Sequence, residues 1–96
     1  ALAEQDLTTL RELVRVNAGP DAADRATLRI LRRIDALKLF PEMGRVDVTL
    51  NGAPRCSAVP PWSIVYDYDR ALDVVFIWRV IDGRRDLASL IRKPHR

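Results

Sequence analysis

The hydrophobic period changes once along this chain, and that change limits the folds open to it. Before Gly44, apolar residues recur every three or four positions, which is the period of an amphipathic helix. After Gly44 they alternate, and Val46, Val48 and Leu50 precede an Asn-Gly pair, which is the pattern of a strand entering a tight hairpin. Helices followed by antiparallel strands predict an α+β domain with the helices packed on one face of the sheet.

Two helices are predicted before Gly44. The first spans residues 2–16, and the second spans residues 21–39 and ends before Pro41. The link between them, Asn-Ala-Gly-Pro, combines residues that end a helix with a proline that suits a first helical turn. So short a link predicts an antiparallel helical hairpin.

The second half of the chain predicts three or four antiparallel strands and a short C-terminal helix. Pro54 places the strand after the Asn-Gly turn at an edge or a bulge of the sheet. Residues 62–68 alternate in the manner of a half-buried strand. Residues 73–81 are apolar on both faces, which predicts a central strand covered on both sides. Residues 82–93 are expected to form a turn and the short helix.

Composition narrows the function classes. The 96 residues are 48% hydrophobic and 30% charged, which predicts one folded domain over residues 1–96. One cysteine and one histidine allow neither an internal disulfide nor a Cys/His zinc site, so we expect no metal and no cofactor. Apolar runs are much shorter than the ~18 residues of a membrane span, so a cytoplasmic protein without membrane contact is expected.

Positive charge is concentrated near the C-terminus. The net charge is only +3, yet residues 79–96 hold six basic residues against Asp82 and Asp86. The six are Arg79, Arg84, Arg85, Arg92, Lys93 and Arg96. This distribution predicts a cationic patch where the most apolar strand ends. The sequence shows no recognition-helix motif, so we do not expect direct, sequence-specific DNA binding.

Three elements give the chain a family resemblance. They are LKLFPEMGR at residues 37–45, WSIVYDYD at residues 62–69 and VFIWRVIDGRRDL at residues 75–87. In order and spacing they resemble the RelE/ParE superfamily of bacterial type II toxins, and most of all its ParE branch. Family members usually begin with a short strand, whereas residues 1–3 lead directly into a helix. Either the natural N-terminus lies further upstream, or that strand is absent and leaves a sheet edge open to a partner.

The resemblance implies two alternative activities. ParE-like members poison DNA gyrase, whereas RelE-like members cleave mRNA on the ribosome. The RelE-like pattern has a basic residue just before the Ile-Val-Tyr element, where this chain has Ser63, and Cys56 occupies an in-phase position on the preceding strand. We therefore favour a gyrase poison with no catalytic residue. A nuclease would need Arg79, Arg84 and Arg85 as phosphate ligands and His95 or Tyr66 as the acid. A third alternative is a non-toxic homologue that only binds the antitoxin.

Two groups of binding residues follow from the resemblance. The target-binding group is Arg79, Arg84, Arg85, Asp86, Arg92 and Lys93. A toxin of this superfamily also has an antitoxin, here expected to resemble ParD and to form a hetero-oligomer with the toxin. The second helix has more apolar residues than one sheet face can cover, so it is expected to contact the antitoxin. The antitoxin-binding group is Leu28, Leu31, Ile30, Ile34 and Trp62.

Overall fold

A helical hairpin precedes a four-stranded antiparallel sheet in the computed structural model, which describes residues 2–83. The elements are α1 (Leu2–Ala18), α2 (Pro20–Leu39), β1 (Arg45–Val46), β2 (Arg55–Val59), β3 (Trp62–Asp69) and β4 (Val74–Asp82). Strand order in the sheet is β1-β2-β3-β4, so the predicted α+β architecture is confirmed. The predicted C-terminal helix lies outside the described residues. Among residues 2–83, no helix is long and apolar enough to cross a membrane.

A single residue, Gly19, separates the two helices. Its φ of 92° lies in the left-handed region, which a glycine adopts without steric cost. The Gly19 amide donates to the Arg15 carbonyl at 2.9 Å and closes α1, and the Gly19 carbonyl accepts from the Ala23 amide at 3.1 Å and opens α2. Pro20 then begins α2 at a position where its missing N–H costs nothing.

The hairpin packs on one face of the sheet, which we call the helix face. Leu10 of α1 and Ile30 and Leu37 of α2 form the helical side of the core. The sheet side consists of Val59, Ile64, Tyr66 and Val80. On the opposite face, a smaller cluster joins Leu50, Val65 and Ile81.

The central strand is β3, and the prediction that the most apolar strand is central is wrong for the described sheet. Ile64, Val65 and Tyr66 have no exposed surface, because β2 and β4 flank β3 and apolar side chains cover both of its faces. β4 lies at one end of the described sheet, and its residues Val74 and Phe76 are exposed.

A β-bulge explains why β4 is apolar on both faces without being central. Val65 pairs with Arg79, but the next residue of β3, Tyr66, pairs with Ile77, so Trp78 is an extra residue in β4. Before the bulge, the odd-numbered residues Val75 and Ile77 of β4 face the helices. After the bulge, the even-numbered residue Val80 faces them. The bulge therefore gives apolar residues to both faces in turn.

The predicted strand over residues 45–50 is also wrong beyond Val46. The Asp47 carboxylate accepts hydrogen bonds from the Thr49 amide at 3.0 Å and from the Thr49 hydroxyl at 2.5 Å, which bends the chain out of the strand. Val48 is 80% exposed, whereas Leu50 turns inward and covers the second face of the sheet. The expected two-residue hairpin is instead a longer loop over residues 47–54.

Candidate functional site

A cleft of about 620 Å³ opens beside β2 and the start of β3, and we call it the β2–β3 cleft. The Pro60-Pro61 turn forms part of its wall. Its polar lining consists of Arg33, Arg45, Asp47, Cys56, Ser57 and Ser63. Ser63 and Cys56, the two residues that distinguish this chain from the RelE-like pattern, therefore both lie in the cleft.

Two groups of the cleft, the Arg33 guanidinium and the Cys56 thiol, have little acid, base or nucleophilic character. Arg33 Nη1 donates to Ser57 Oγ at 2.9 Å and to the Ala58 carbonyl at 3.0 Å, so backbone and side chain of β2 fix the guanidinium. Burial, and secondly the charge of Asp47, raise the pKa of the Cys56 thiol. A thiol with a raised pKa stays protonated at neutral pH and is a poor nucleophile.

Tyr66 is held inside the protein by both functions of its hydroxyl group. The hydroxyl donates to the Pro41 carbonyl at 2.8 Å and accepts from the Gly44 amide at 2.8 Å. Burial, as the largest cause, raises the pKa of Tyr66. Gly44 is required at this contact, because a Cβ there would collide with the Tyr66 hydroxyl oxygen. Tyr66 thus anchors the segment after α2 and does not face the cleft as an acid.

Arg79 joins β4 to α1, in a contact that we call the α1–β4 seam. Arg79 Nε and Nη2 donate to the two carboxylate oxygens of Asp6 at 2.7 Å and 3.0 Å, and the Val80 amide donates to Asp6 Oδ2 at 2.9 Å. The side chains of Arg79 and Asp6 are only 24% and 14% exposed. Hydrogen bonding to Asp6 raises the pKa of Arg79. Arg79 is therefore an internal tie as well as a member of the predicted target-binding group.

Sequence reasoning missed Asp6. The signal that could have found it is an acidic residue set among the apolar positions of α1, three residues after the buried Ala3 and four before the buried Leu10. An acid at such a position needs a cationic or N–H partner when the helix packs. The other predicted target-binding residues, Arg84, Arg85, Asp86, Arg92 and Lys93, lie outside the described residues, as does His95.

The predicted antitoxin-binding residues separate into two sets. Leu28 and Leu31 lie on the solvent side of α2 and are 46% and 44% exposed. Ile30 has no exposed surface because it faces the sheet, so it is unavailable to a partner in this conformation. Ile34 and Trp62 are partly buried against the same core.

The helical hairpin and the antiparallel sheet together have the architecture that the resemblance to the type II toxins implies. The family model of the ParE toxin of the type II toxin-antitoxin system parDE matches residues 1–87. The chain therefore belongs to the ParE toxin family, and membership implies an antitoxin as its partner. A comparison with curated proteins finds no match.

Proposed function

We propose that this chain is a ParE-like toxin that inhibits DNA gyrase in the cytoplasm and is neutralised by a cognate antitoxin. The family match over residues 1–87 supports this proposal. The observation that carries the choice of activity is the chemistry of the β2–β3 cleft. Its thiol is held neutral, one of its arginines is bound to β2, and Ser63 replaces the basic residue that the RelE-like pattern has.

RNA cleavage through the 2′-hydroxyl needs a base, cations for the developing charge and a proton donor for the leaving oxygen. Among the described residues, Tyr66 is the acid that the nuclease alternative named, and its hydroxyl is bonded to Pro41 and Gly44. The cleft thus favours a protein that acts by binding. We propose that the C-terminal basic residues, Arg84, Arg85, Arg92 and Lys93 with Asp86, contact gyrase.

One observation favours the second candidate, a ribosome-dependent endoribonuclease. Arg33 and Arg45 both line the cleft, and Arg45 is exposed. An exposed guanidinium can stabilise the charge of a phosphate in the transition state. The substitution Arg45→Ala separates the two candidates, because it removes this cation without disturbing the core.

The test is a gyrase supercoiling and cleavage assay with the purified full-length toxin. We expect cleaved DNA to accumulate, to the same extent with wild type and Arg45→Ala, and to disappear when the antitoxin is added. The nuclease would be the correct alternative if gyrase stays active and the toxin cuts mRNA at particular codons in a translating extract. In that case Arg45→Ala should abolish the cuts. If the toxin neither inhibits gyrase nor cuts mRNA, the chain would be the non-toxic homologue.

A further inference from the structure

A smaller cavity adjoins the β2–β3 cleft, and three arginines of α2 line it. We call this cavity of about 310 Å³ the arginine pocket, and the residues around it are Arg29, Arg32, Arg33, Val59 and Pro60. Arg32 and Arg33 follow Arg29 by three and four residues, so the three side chains leave α2 on the same face. Arg33 and Pro60 also line the β2–β3 cleft, and the two cavities are therefore neighbours.

Two of the three guanidiniums are held in place without losing their charge. Arg29 Nη2 donates to the Pro60 carbonyl at 3.0 Å. Arg33 Nη1 donates to Ser57 Oγ at 2.9 Å and to the Ala58 carbonyl at 3.0 Å. All three acceptors are uncharged, and each guanidinium keeps further N–H donors that can bind a ligand.

The third guanidinium, that of Arg32, is exposed and forms no hydrogen bond or ion pair within residues 2–83. No carboxylate is among the described residues that line the pocket. The acids of α2 on either side in the sequence, Asp24 and Asp35, pair with Arg11 and Lys38 instead. Three positive charges thus meet at a cavity for which the described chain provides no anion.

We propose that the arginine pocket binds the terminal phosphate of a nucleotide. A terminal phosphate carries a charge of about −1.5 to −2 and three strong acceptor oxygens, and a guanidinium binds such oxygens through two parallel N–H groups. A carboxylate has a single charge and two oxygens, and a phosphate inside a nucleic-acid strand also has a single charge. Either of these would leave more of the positive charge of the pocket uncompensated.

The β2–β3 cleft has room for the rest of the nucleotide. Its volume of about 620 Å³ lies within the range of about 300 to 1,000 Å³ that is usual for small-molecule sites. Trp62 lines this cleft, and an aromatic ring can stack on a base. Because Arg33 and Pro60 belong to both cavities, one ligand can place its phosphate in the first and its base in the second. This site goes beyond the proposed function, since it requires neither gyrase nor an antitoxin.

The test measures the binding of AMP to the purified full-length protein by isothermal titration calorimetry. Wild type should bind AMP saturably, and adenosine, which lacks the phosphate, much more weakly. Arg32→Ala removes a guanidinium that forms no hydrogen bond or ion pair within residues 2–83, and we expect the AMP affinity to fall about tenfold. The matched control is Arg25→Ala, which removes the same charge from α2 outside the pocket and leaves the affinity nearly unchanged.

Two sources of a terminal phosphate are separated by a second ligand, a single-stranded DNA oligonucleotide with a 5′-phosphate. Tighter binding of this oligonucleotide than of AMP would identify the end of a strand as the ligand. Tighter binding of AMP would identify a free mononucleotide. In both cases Arg32→Ala should weaken the binding and Arg25→Ala should not.

Three results would overturn the inference. The first is wild-type protein that binds neither AMP nor the phosphorylated oligonucleotide. The second is equal AMP affinity in wild type and Arg32→Ala, which would refute the assigned pocket. The third is displacement of AMP by an equal concentration of citrate, because the pocket would then attract carboxylates as well as it attracts a phosphate. Each of these results would leave the proposed inhibition of gyrase standing.

Discussion

The α1–β4 seam and the solvent side of α2 both set arginines among apolar residues, yet the two regions use them in opposite ways. We call the second region the outer face of α2, and it consists of Arg25, Leu28, Arg29, Leu31 and Arg32. In the seam, the Arg79 guanidinium and the Val80 amide share one partner, Asp6. On the outer face, Arg25 and Arg32 have no partner in the described chain. An arginine within an apolar pattern therefore indicates that an anion is needed, but only the fold determines whether the protein itself or another molecule supplies it.

The seam should be the more costly region to disturb. Asp6→Ala removes the acceptor of three hydrogen bonds and leaves a mostly buried guanidinium without its carboxylate, so we expect the free energy of unfolding to fall by about 3 kcal/mol. Urea denaturation measures this loss. The control is Asp24→Ala, which breaks an exposed pair with Arg11 and should cost no more than about 1 kcal/mol. Equal losses in the two variants would show that the seam does not hold α1 to β4.

The contact of Gly44 with Tyr66 is the second buried contact that stabilises the fold. In Gly44→Ala the new Cβ meets the Tyr66 ring, with its Cε1 at 2.7 Å, so the ring or the backbone must shift. We expect a loss of about 2 kcal/mol in thermal or urea unfolding. Gly83→Ala is the matched control, because its nearest atom, the Pro61 carbonyl oxygen, lies at 3.4 Å and little movement is needed. A stable Gly44→Ala variant would contradict the close approach.

The same contact predicts a pH dependence of stability. The pKa of Tyr66 is raised in the folded state, chiefly by burial, above its ordinary value of 10.0. The neutral Tyr66 hydroxyl therefore contributes fully to the free energy of unfolding below about pH 10. This contribution is lost as the pH rises through the folded-state pKa of Tyr66, because the tyrosine of the unfolded chain ionises first. Unfolding measured across this range should show a steeper alkaline loss for wild type than for Tyr66→Phe. Parallel pH profiles would show that another group controls the alkaline transition.

The outer face of α2 should give the smallest effect on stability. Arg25→Ala/Arg32→Ala removes no hydrogen bond or ion pair within residues 2–83, and alanine favours the helix, so the free energy of unfolding should stay within about 0.5 kcal/mol of wild type. Denaturation of the isolated toxin checks this. A loss as large as that of Asp6→Ala would show that the arginines of both regions stabilise the fold, which would contradict the contrast between them.

Much of the fold was predictable because its helices obey a simple period. The hairpin follows from the apolar spacing of α1 and α2 and from the stop and start residues around Gly19. The order of helices and strands followed in the same way. What the period could not show was the bulge at Trp78, because one extra residue exchanges the two faces of β4 and makes an end strand of the described sheet look central.

The site was less predictable because local and long-range contacts compete there. Asp47 bonds to Thr49, two residues away, and ends a strand that the alternation of valines predicted to continue. Asp6 and Arg79 are 73 positions apart, so nothing in either neighbourhood pairs them. By contrast, the exposure of Leu28 and Leu31 followed from helical geometry, since Ile30 already occupies the side that faces the sheet.

The most direct test titrates antitoxin into gyrase cleavage reactions that contain either wild-type toxin or Arg45→Ala. We predict that both toxins trap cleaved DNA equally, and that the antitoxin neutralises both. Absence of gyrase inhibition by the wild type, or loss of the toxic effect in Arg45→Ala, would contradict the account.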